Sequence, residues 1–152
     1  MKALTLKHPW AFAVAHLGKD VENRTWAPPR ALHGEFFAIH GGALPTGRAL
    51  LELCECVAYG FKYHHEAEIA AYHERTGLDV KVSDTLTPGL VAVARLAGVV
   101  RASDSPWFYG PIGWRLADVF TLPSPVPCRG AQGLWDVPEN ALAEVLRQGW
   151  RP

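Results

Sequence analysis

The order of apolar and polar positions predicts strands at both ends of the chain and helices between them. Five segments are rich in β-branched, aromatic and other apolar residues, which is typical of strands. They are residues 3–6, 20–26, 35–40, 90–100 and 114–122. Four further segments repeat an apolar face every three to four residues, which indicates helices. They are residues 10–17, 46–59, 65–76 and 138–148. This arrangement predicts an α+β fold with a mixed, barrel-like sheet and flanking helices.

The length and composition suit one domain with its own core. The chain has 152 residues, of which 49% are apolar and 20% are charged. That is enough apolar surface for one core and too little chain for two domains of ordinary size. Residues 1–152 are therefore interpreted as a single domain, in which the two middle helices form an insertion at about residues 44–88.

Hydropathy and cysteine patterns favour a cytoplasmic protein without a membrane span. No apolar run approaches the roughly 20 residues that a membrane-spanning helix needs, and the N-terminus lacks the pattern of an export signal. The three cysteines cannot all pair, and Cys54 and Cys56, two apart on a predicted helix, point in different directions. The sequence leaves the oligomeric state open, and a monomer is compatible with it.

Formal charge is zero for the whole chain but is unevenly distributed. Fifteen basic residues balance 15 acidic ones, which argues against a protein that coats nucleic acid through a general positive field. Residues 1–50 carry six basic and three acidic residues, whereas residues 51–88 carry three and seven. A phosphate-bearing ligand is therefore expected on a surface built from the two ends of the chain, with residues 51–88 turned away.

Three separated segments resemble the motifs of the ASCH family. The first motif is a Pro-Trp-Ala helix start followed by Gly-Lys, Glu-x-Arg and Trp. Its residues here are Pro9, Trp10, Ala11, Gly18, Lys19, Glu22, Arg24 and Trp26. The second segment, residues 34–42, is similar to the strand of this family that ends in Ile-His. The third, residues 110–138, is similar to its closing strand and its Pro-x-Pro-x-x-Gly loop with Leu-Trp, whereas residues 44–88 match no motif.

This resemblance implies a PUA-like mixed β-barrel with a cleft between the first helix and the sheet, related to domains that read or modify RNA. Members of the family are thought to bind RNA, to serve in transcriptional coactivators, to cut RNA or, in one bacterial branch, to deacetylate acetylcytidine. The leading hypothesis is therefore an RNA- or nucleotide-binding domain with a small cationic, aromatic-lined cleft.

Lys19, Glu22 and Arg24 form the first candidate constellation. Glu22 and Arg24, two apart on a predicted strand, project from the same face and are able to pair. Arg24 has the planar fork that suits a phosphate or carboxylate, and Lys19 would meet a phosphate as a point charge. Glu22 would accept from a base amino group or hold Arg24 in place. A purely structural Glu–Arg pair is the alternative interpretation.

Aromatic residues and a rigid closing loop supply the other candidate contacts. Trp10, Trp26 and Trp114 are assigned mainly to packing, whereas Trp107 and Trp135 are predicted to be partly exposed for base stacking. The prolines at 123, 125 and 127 are expected to form a rigid loop that presents Arg129 to phosphate and Gln132 to a base edge. The complete predicted binding set is Pro9, Trp10, Lys19, Glu22, Arg24, His40, Trp107, Arg129, Gln132 and Trp135.

The enzymatic alternative is a hydrolase that acts on RNA or a modified nucleoside. It would use Lys19 as the activating group and Glu22 or His40 as acid or base. In the acetylcytidine branch the Lys is thought to activate a Thr three residues later, where this chain has Glu22. The neighbouring carboxylate is also expected to raise the pKa of Lys19, which opposes activation of the amine.

A protein-interaction domain is the third alternative, with the partner surface on the acidic helices that carry Glu66, Glu68 and Glu74. No cofactor is predicted, and no metal site, because the chain has no CxxC or HExxH pattern. The histidines and cysteines of the insertion are instead expected to be solvated and buried, respectively.

Overall fold

Six strands form one curled, mixed sheet in the computed structural model, which describes residues 1–152. The strands β1 to β6 are Lys2–Leu6, Val21–Arg24, Phe36–Gly41, Gly89–Val100, Ile112–Val126 and Leu134–Asp136. Their order in the sheet is β2-β5-β4-β3-β1-β6. Strands β1 and β3 run parallel, and the other neighbours are antiparallel. Since β2 and β6 remain as edges, the sheet is a half-barrel, and the predicted α+β class is confirmed.

Four helices accompany the sheet, close to the predicted positions. The helices α1 to α4 are Trp10–His16, Gly47–Glu55, Glu66–Thr76 and Glu139–Arg147. A π-helix at Cys56–Phe61 and one α-helical turn at Lys62–His64 connect α2 to α3, and short 3₁₀ turns lie at Arg30–Leu32 and Val82–Thr85. The longest of the four helices has 11 residues, and none is long and apolar enough to cross a membrane.

Strand β5 is longer than the sequence predicts and includes Pro123 and Pro125, which were assigned to a loop. Proline lacks an N–H and is tolerated only where a strand does not need that donor. Strand β2 pairs with β5 only between Ile112 and Arg115. Beyond that stretch one side of β5 is an edge, so the prolines cost no bond to a second neighbouring strand.

Each face of the sheet carries a buried cluster, and successive side chains of one strand contribute to the two clusters in turn. Ala3 and Ala38, paired across β1 and β3, belong to the core cluster beneath α4, which also contains Val145. The next pair, Leu4 and Ile39, belongs to the cluster beneath α1. Helices on both faces therefore fix the register of the parallel pair whose ends form the candidate site.

The helical insertion packs against the second face of α1. Phe12 and Ala13 of α1 lie in one buried cluster with Val57 and Phe61 of the π-helix and with Trp107 from the loop before β5. The insertion follows β3 and precedes β4, where the sequence predicts it, and it contributes a third core cluster beside the sheet. Its position beside α1 brings it to the rim of the cleft described next.

Candidate functional site

A cleft of about 1360 Å³ opens where β1 and β3 end side by side. Because these two strands are parallel, their carboxyl ends reach the same edge of the sheet, and the chains that leave them diverge around a crevice. Its lining comes from five stretches, at residues 5–8 with 10, 22–24 with 26, 40–43 with 45, 88–89 and 127–133, together with Leu53 of α2. The volume exceeds the roughly 300–1,000 Å³ of ordinary small-molecule sites, so the cleft has room for an extended ligand.

The cleft is positively charged although the chain is neutral. Its charged lining consists of Lys7, Arg24 and Arg129 against a single carboxylate, Glu22. None of the seven acidic residues of residues 51–88 lines it. Leu53 and Pro88, however, line the cleft. The prediction that residues 51–88 are turned away therefore holds for the acidic residues and not for the whole segment.

A chain of charged side chains runs from the interior to the cleft. The Lys19 ammonium lies 2.6 Å from Glu22 Oε2 and also donates to the carbonyl of Val21. Arg24 Nε lies 3.2 Å from Glu22 Oε1, and Arg24 Nη2 donates to the carbonyl of Thr5 at 2.9 Å. The exposed fraction of these side chains rises from 1% at Lys19 through 9% at Glu22 to 22% at Arg24. The predicted Glu22–Arg24 pair is present, with Lys19 behind it.

The burial of Lys19 corrects its predicted role as a direct phosphate contact. The side chain does not line the cleft, because Glu22 covers it. Burial lowers the pKa of Lys19, and the adjacent Glu22 carboxylate opposes that shift. The predicted effect of Glu22 is therefore present, but the cost of desolvating the ammonium exceeds it, so the net shift is downward. Lys19 has no direct place in the lining and acts on the cleft through Glu22.

His40 ends β3 at the floor of the cleft, and both of its ring nitrogens are engaged. Nε2 lies 3.0 Å from the carbonyl of Cys128, and Nδ1 lies 3.2 Å from the hydroxyl of Thr5. Burial lowers the pKa of His40, which favours the neutral ring. Because a carbonyl only accepts, the neutral ring donates from Nε2 and accepts the Thr5 hydroxyl at Nδ1. The Thr5 oxygen accepts in turn from Trp135 Nε1 at 3.0 Å, so His40 ties the closing loop to β1.

The tryptophans are arranged differently from the sequence-based assignment. Trp107 is 2% exposed, so the prediction that it is partly exposed was wrong, and it stacks on the His65 ring at 4.0 Å. Trp135 is half-buried, edge-on to His40 at 5.2 Å, and does not line the cleft. Trp10 and Trp26, assigned mainly to packing, are half-buried and do line it. These two provide the aromatic wall of the cleft.

The closing loop places Arg129 and Gln132 as predicted, exposed on the lining of the cleft. Pro9 lies instead in the wall of a smaller neighbouring cavity. Lys7 and His8 were not predicted, although they lie between the predicted strand at residues 3–6 and the Pro-Trp helix start. Their position between those two elements was the available signal.

In the insertion, His64 and His73 are exposed as expected, but burial differs from the sequence-based expectation at His65 and at the two cysteines. His65 is 1% exposed, whereas Cys54 is half-buried and Cys56 is exposed. The apolar surroundings of Trp107 and Phe61 accommodate the imidazole ring as an aromatic core residue. Burial also lowers the pKa of His65, so the ring is held in its neutral form.

No protein-family model and no curated protein sequence matches the chain. Function is therefore inferred from the charges, contacts and cavities of the chain itself.

Proposed function

We propose that this chain is an ASCH domain with a PUA-like sheet, and that its cleft binds single-stranded RNA or a nucleotide. The observation that carries the proposal is the convergence of three distant segments on one cationic cleft. Trp10 and Arg24 of the first motif, His40 of the second and Arg129 of the third all line it. Segments that bind one ligand must lie at one site, whereas segments that serve only packing need not line the same cavity.

The phosphate contacts in this proposal come from Arg24, Arg129 and Lys7. Arg24 donates a hydrogen bond from Nη2 to the carbonyl of Thr5 and forms an ion pair with Glu22 through Nε, and these two contacts orient its guanidinium. Neither Nε nor Nη1 has a hydrogen-bond acceptor in the protein. A preorganised fork loses little side-chain entropy when it binds an oxyanion. Lys7 and Arg129 are exposed on the lining and supply further positive charge. Bases would stack on the rings of Trp10 and Trp26, and each stacked base would contribute about 1–3 kcal/mol to the free energy of binding.

The state of the three candidate catalytic groups favours binding over hydrolysis. Lys19 is enclosed behind Glu22 and does not reach the cleft. The carboxylate of Glu22 lies between the cations of Lys19 and Arg24, so each of its oxygens already has a cationic partner. His40 has hydrogen-bond partners at both nitrogens. A hydrolase would need at least one of these groups to be free at the substrate.

Replacing both Arg24 and Arg129 by Ala should weaken RNA binding by roughly 150-fold or more, because each lost hydrogen bond to a charged group contributes about 1.5–3 kcal/mol and two are lost. The measurement is fluorescence anisotropy with a labelled ten-nucleotide single-stranded RNA. Arg147→Ala is the matched control, since Arg147 is an exposed arginine on α4, away from the lining. It should bind RNA as the wild-type protein does.

The salt dependence of the same titration distinguishes the cleft from a general cationic surface. Three phosphate contacts predict a slope of about −2 in a plot of log affinity against log salt, at roughly −0.7 for each contact on a single strand. The double variant should have a shallower slope. Unchanged affinity in the double variant, or an equal loss in Arg147→Ala, would contradict the proposed function.

A further inference from the structure

A second cavity of about 380 Å³ lies beside the cleft, which we call the side chamber. It shares His8, Trp10 and Leu53 with the lining of the cleft. Its remaining wall is formed by Pro9, by Tyr109 and, from the insertion, by Cys56, Val57, Gly60, Phe61, His64 and His65. The insertion therefore builds most of a cavity that opens beside the cationic cleft.

The π-helix at Cys56–Phe61 forms one wall of the side chamber. A π-helix is rare, is less favourable than an α-helix and is found mostly at functional sites. Gly60 lies in this wall with a negative φ, and a Cβ added there would have no heavy atom within 4 Å. The π-helical turn and the absence of a side chain at Gly60 together leave the side chamber open, whereas a regular α-helix with larger residues would fill it.

Two buried nitrogen atoms of residues in the wall have no hydrogen-bond partner, which is uncommon in proteins. His8 Nε2 lies 2.7 Å from the carbonyl of Gly42. Because a carbonyl only accepts, Nε2 carries the proton, and in the neutral ring Nδ1 is a buried acceptor without a donor. His65 Nδ1 also has no hydrogen bond, but it lies 3.8 Å from Glu68 Oε2, while its Nε2 lies 2.7 Å from the hydroxyl of Tyr109. A ligand with an N–H edge would supply the missing donor to His8 Nδ1.

The walls of the side chamber are aromatic and carry no carboxylate. Around Trp10, ring centroids lie at 5.4 Å for Phe61, 5.9 Å for His65 and 6.1 Å for Tyr109. A lipid chain would leave the two histidine nitrogens unpaired, and a cationic ligand would find no carboxylate in the lining. A planar heterocycle with N–H and acceptor edges fits both the aromatic walls and the unpaired nitrogens.

We infer that the side chamber holds one nucleobase of the ligand, with His8 Nδ1 accepting from its N–H edge while the sugar and phosphate lie in the cleft. This inference rests on the proposed function and adds a base-specific site to it. Base recognition then depends on the insertion, whereas phosphate binding depends on the two ends of the chain.

The test compares an RNA pentamer with a pentamer of the same backbone in which each base is replaced by hydrogen, both measured by isothermal titration calorimetry. The wild-type protein should bind the base-bearing pentamer roughly 5- to 150-fold more tightly, the range for one base stacked on aromatic side chains. Gly60→Leu should lower this ratio, because the new side chain occupies the side chamber while Trp26 in the cleft stays available for stacking, and should leave the affinity for the base-free pentamer unchanged.

The control for Gly60→Leu is Tyr59→Leu, since Tyr59 lies in the same π-helix, is 81% exposed and does not line the side chamber. It should retain the full ratio. Tyr109→Ala tests the same inference from another wall of the side chamber. Tyr109 is 59% exposed, so its removal opens the side chamber to solvent and leaves no cavity in the core. It should lower the ratio.

The outcomes separate the two proposals. Equal binding of both pentamers by the wild-type protein, or a full ratio retained in both Gly60→Leu and Tyr109→Ala, would overturn the side-chamber inference and leave the proposed function standing. If neither pentamer bound the wild-type protein, the proposed function and this inference would both be overturned.

Discussion

Replacing Glu22 by Gln should lower the free energy of unfolding by about 3–5 kcal/mol at neutral pH, the usual cost of removing one partner of a buried ion pair. Lys19 is enclosed, with 1% of its side chain exposed, and Glu22 is its only carboxylate partner within 4.0 Å. Without that carboxylate, the ammonium is a buried charge without compensation. Urea unfolding followed by circular dichroism provides the measurement.

The pH dependence of the Glu22→Gln variant has a defined sign. The pKa of Lys19 is already lowered in the folded protein, and the carboxylate of Glu22 is one of the groups that oppose the shift. Its loss lowers the pKa of the folded state further, while the unfolded value stays near 10.5. Between these two values the unfolded chain binds more protons, so stability rises with pH. The deficit of the variant should therefore shrink in alkaline solution.

A second substitution serves as the control. Lys19→Met combined with Glu22→Gln removes the buried charge and keeps a side chain of similar length, so it should recover most of the lost stability. A Glu22→Gln variant that unfolds like the wild-type protein at every pH would contradict the buried pair. So would a double variant that is no more stable than the single one.

Replacing Gly41 by Ala should destabilise the protein by about 3 kcal/mol or more, the upper part of the range for overpacking in a core. A Cβ at this position would lie 1.9 Å from the carbonyl oxygen of Thr87 and 3.2 Å from His8 Cε1. The first of these atoms is backbone, so β3 or the chain before β4 would have to move. Thermal unfolding measures the effect, and the floor of the cleft should be disturbed with it.

Gly42 provides a matched control one residue further along the chain. A Cβ there would lie 3.5 Å from Thr5 Cγ2, an ordinary van der Waals distance. Gly42→Ala should therefore change stability by no more than about 0.5 kcal/mol. Equal stability of the two Ala variants would show that β3 and Thr87 do not approach as closely as described.

Local patterns were sufficient to predict most elements of the fold. Alternation and β-branched residues located the strands, and helical spacing together with turn residues located the helices, because both signals arise within a few neighbouring residues. The six-residue π-helix was not predicted, since so short a segment has no periodic signal of its own. The extension of β5 through Pro123 and Pro125 was not predicted. It is possible because no second strand pairs with that part of β5, and the local sequence does not show this.

The candidate site was predictable only in part, for a related reason. The spacing of Glu22 and Arg24 predicted their pairing, which needs only the geometry of one strand. The burial of Lys19 and Trp107 depends on residues that are distant in sequence. Trp107 lies in a loop rich in Ser, Pro and Gly that appears exposed, yet the insertion places His65 and Phe61 against its ring. A long-range contact of this kind leaves no mark on the local pattern.

The most direct test of ligand binding in the cleft is a map of backbone amide chemical shifts during titration with the ten-nucleotide RNA. Binding in the cleft predicts that the largest changes fall on residues 5–8, 22–26, 40–43 and 129–133, with smaller changes along the π-helix. Changes confined to the exposed acidic face of α3, around Glu66 and Glu74, would instead support a partner surface on the insertion. That result, or no changes at saturating RNA, would contradict the proposed function.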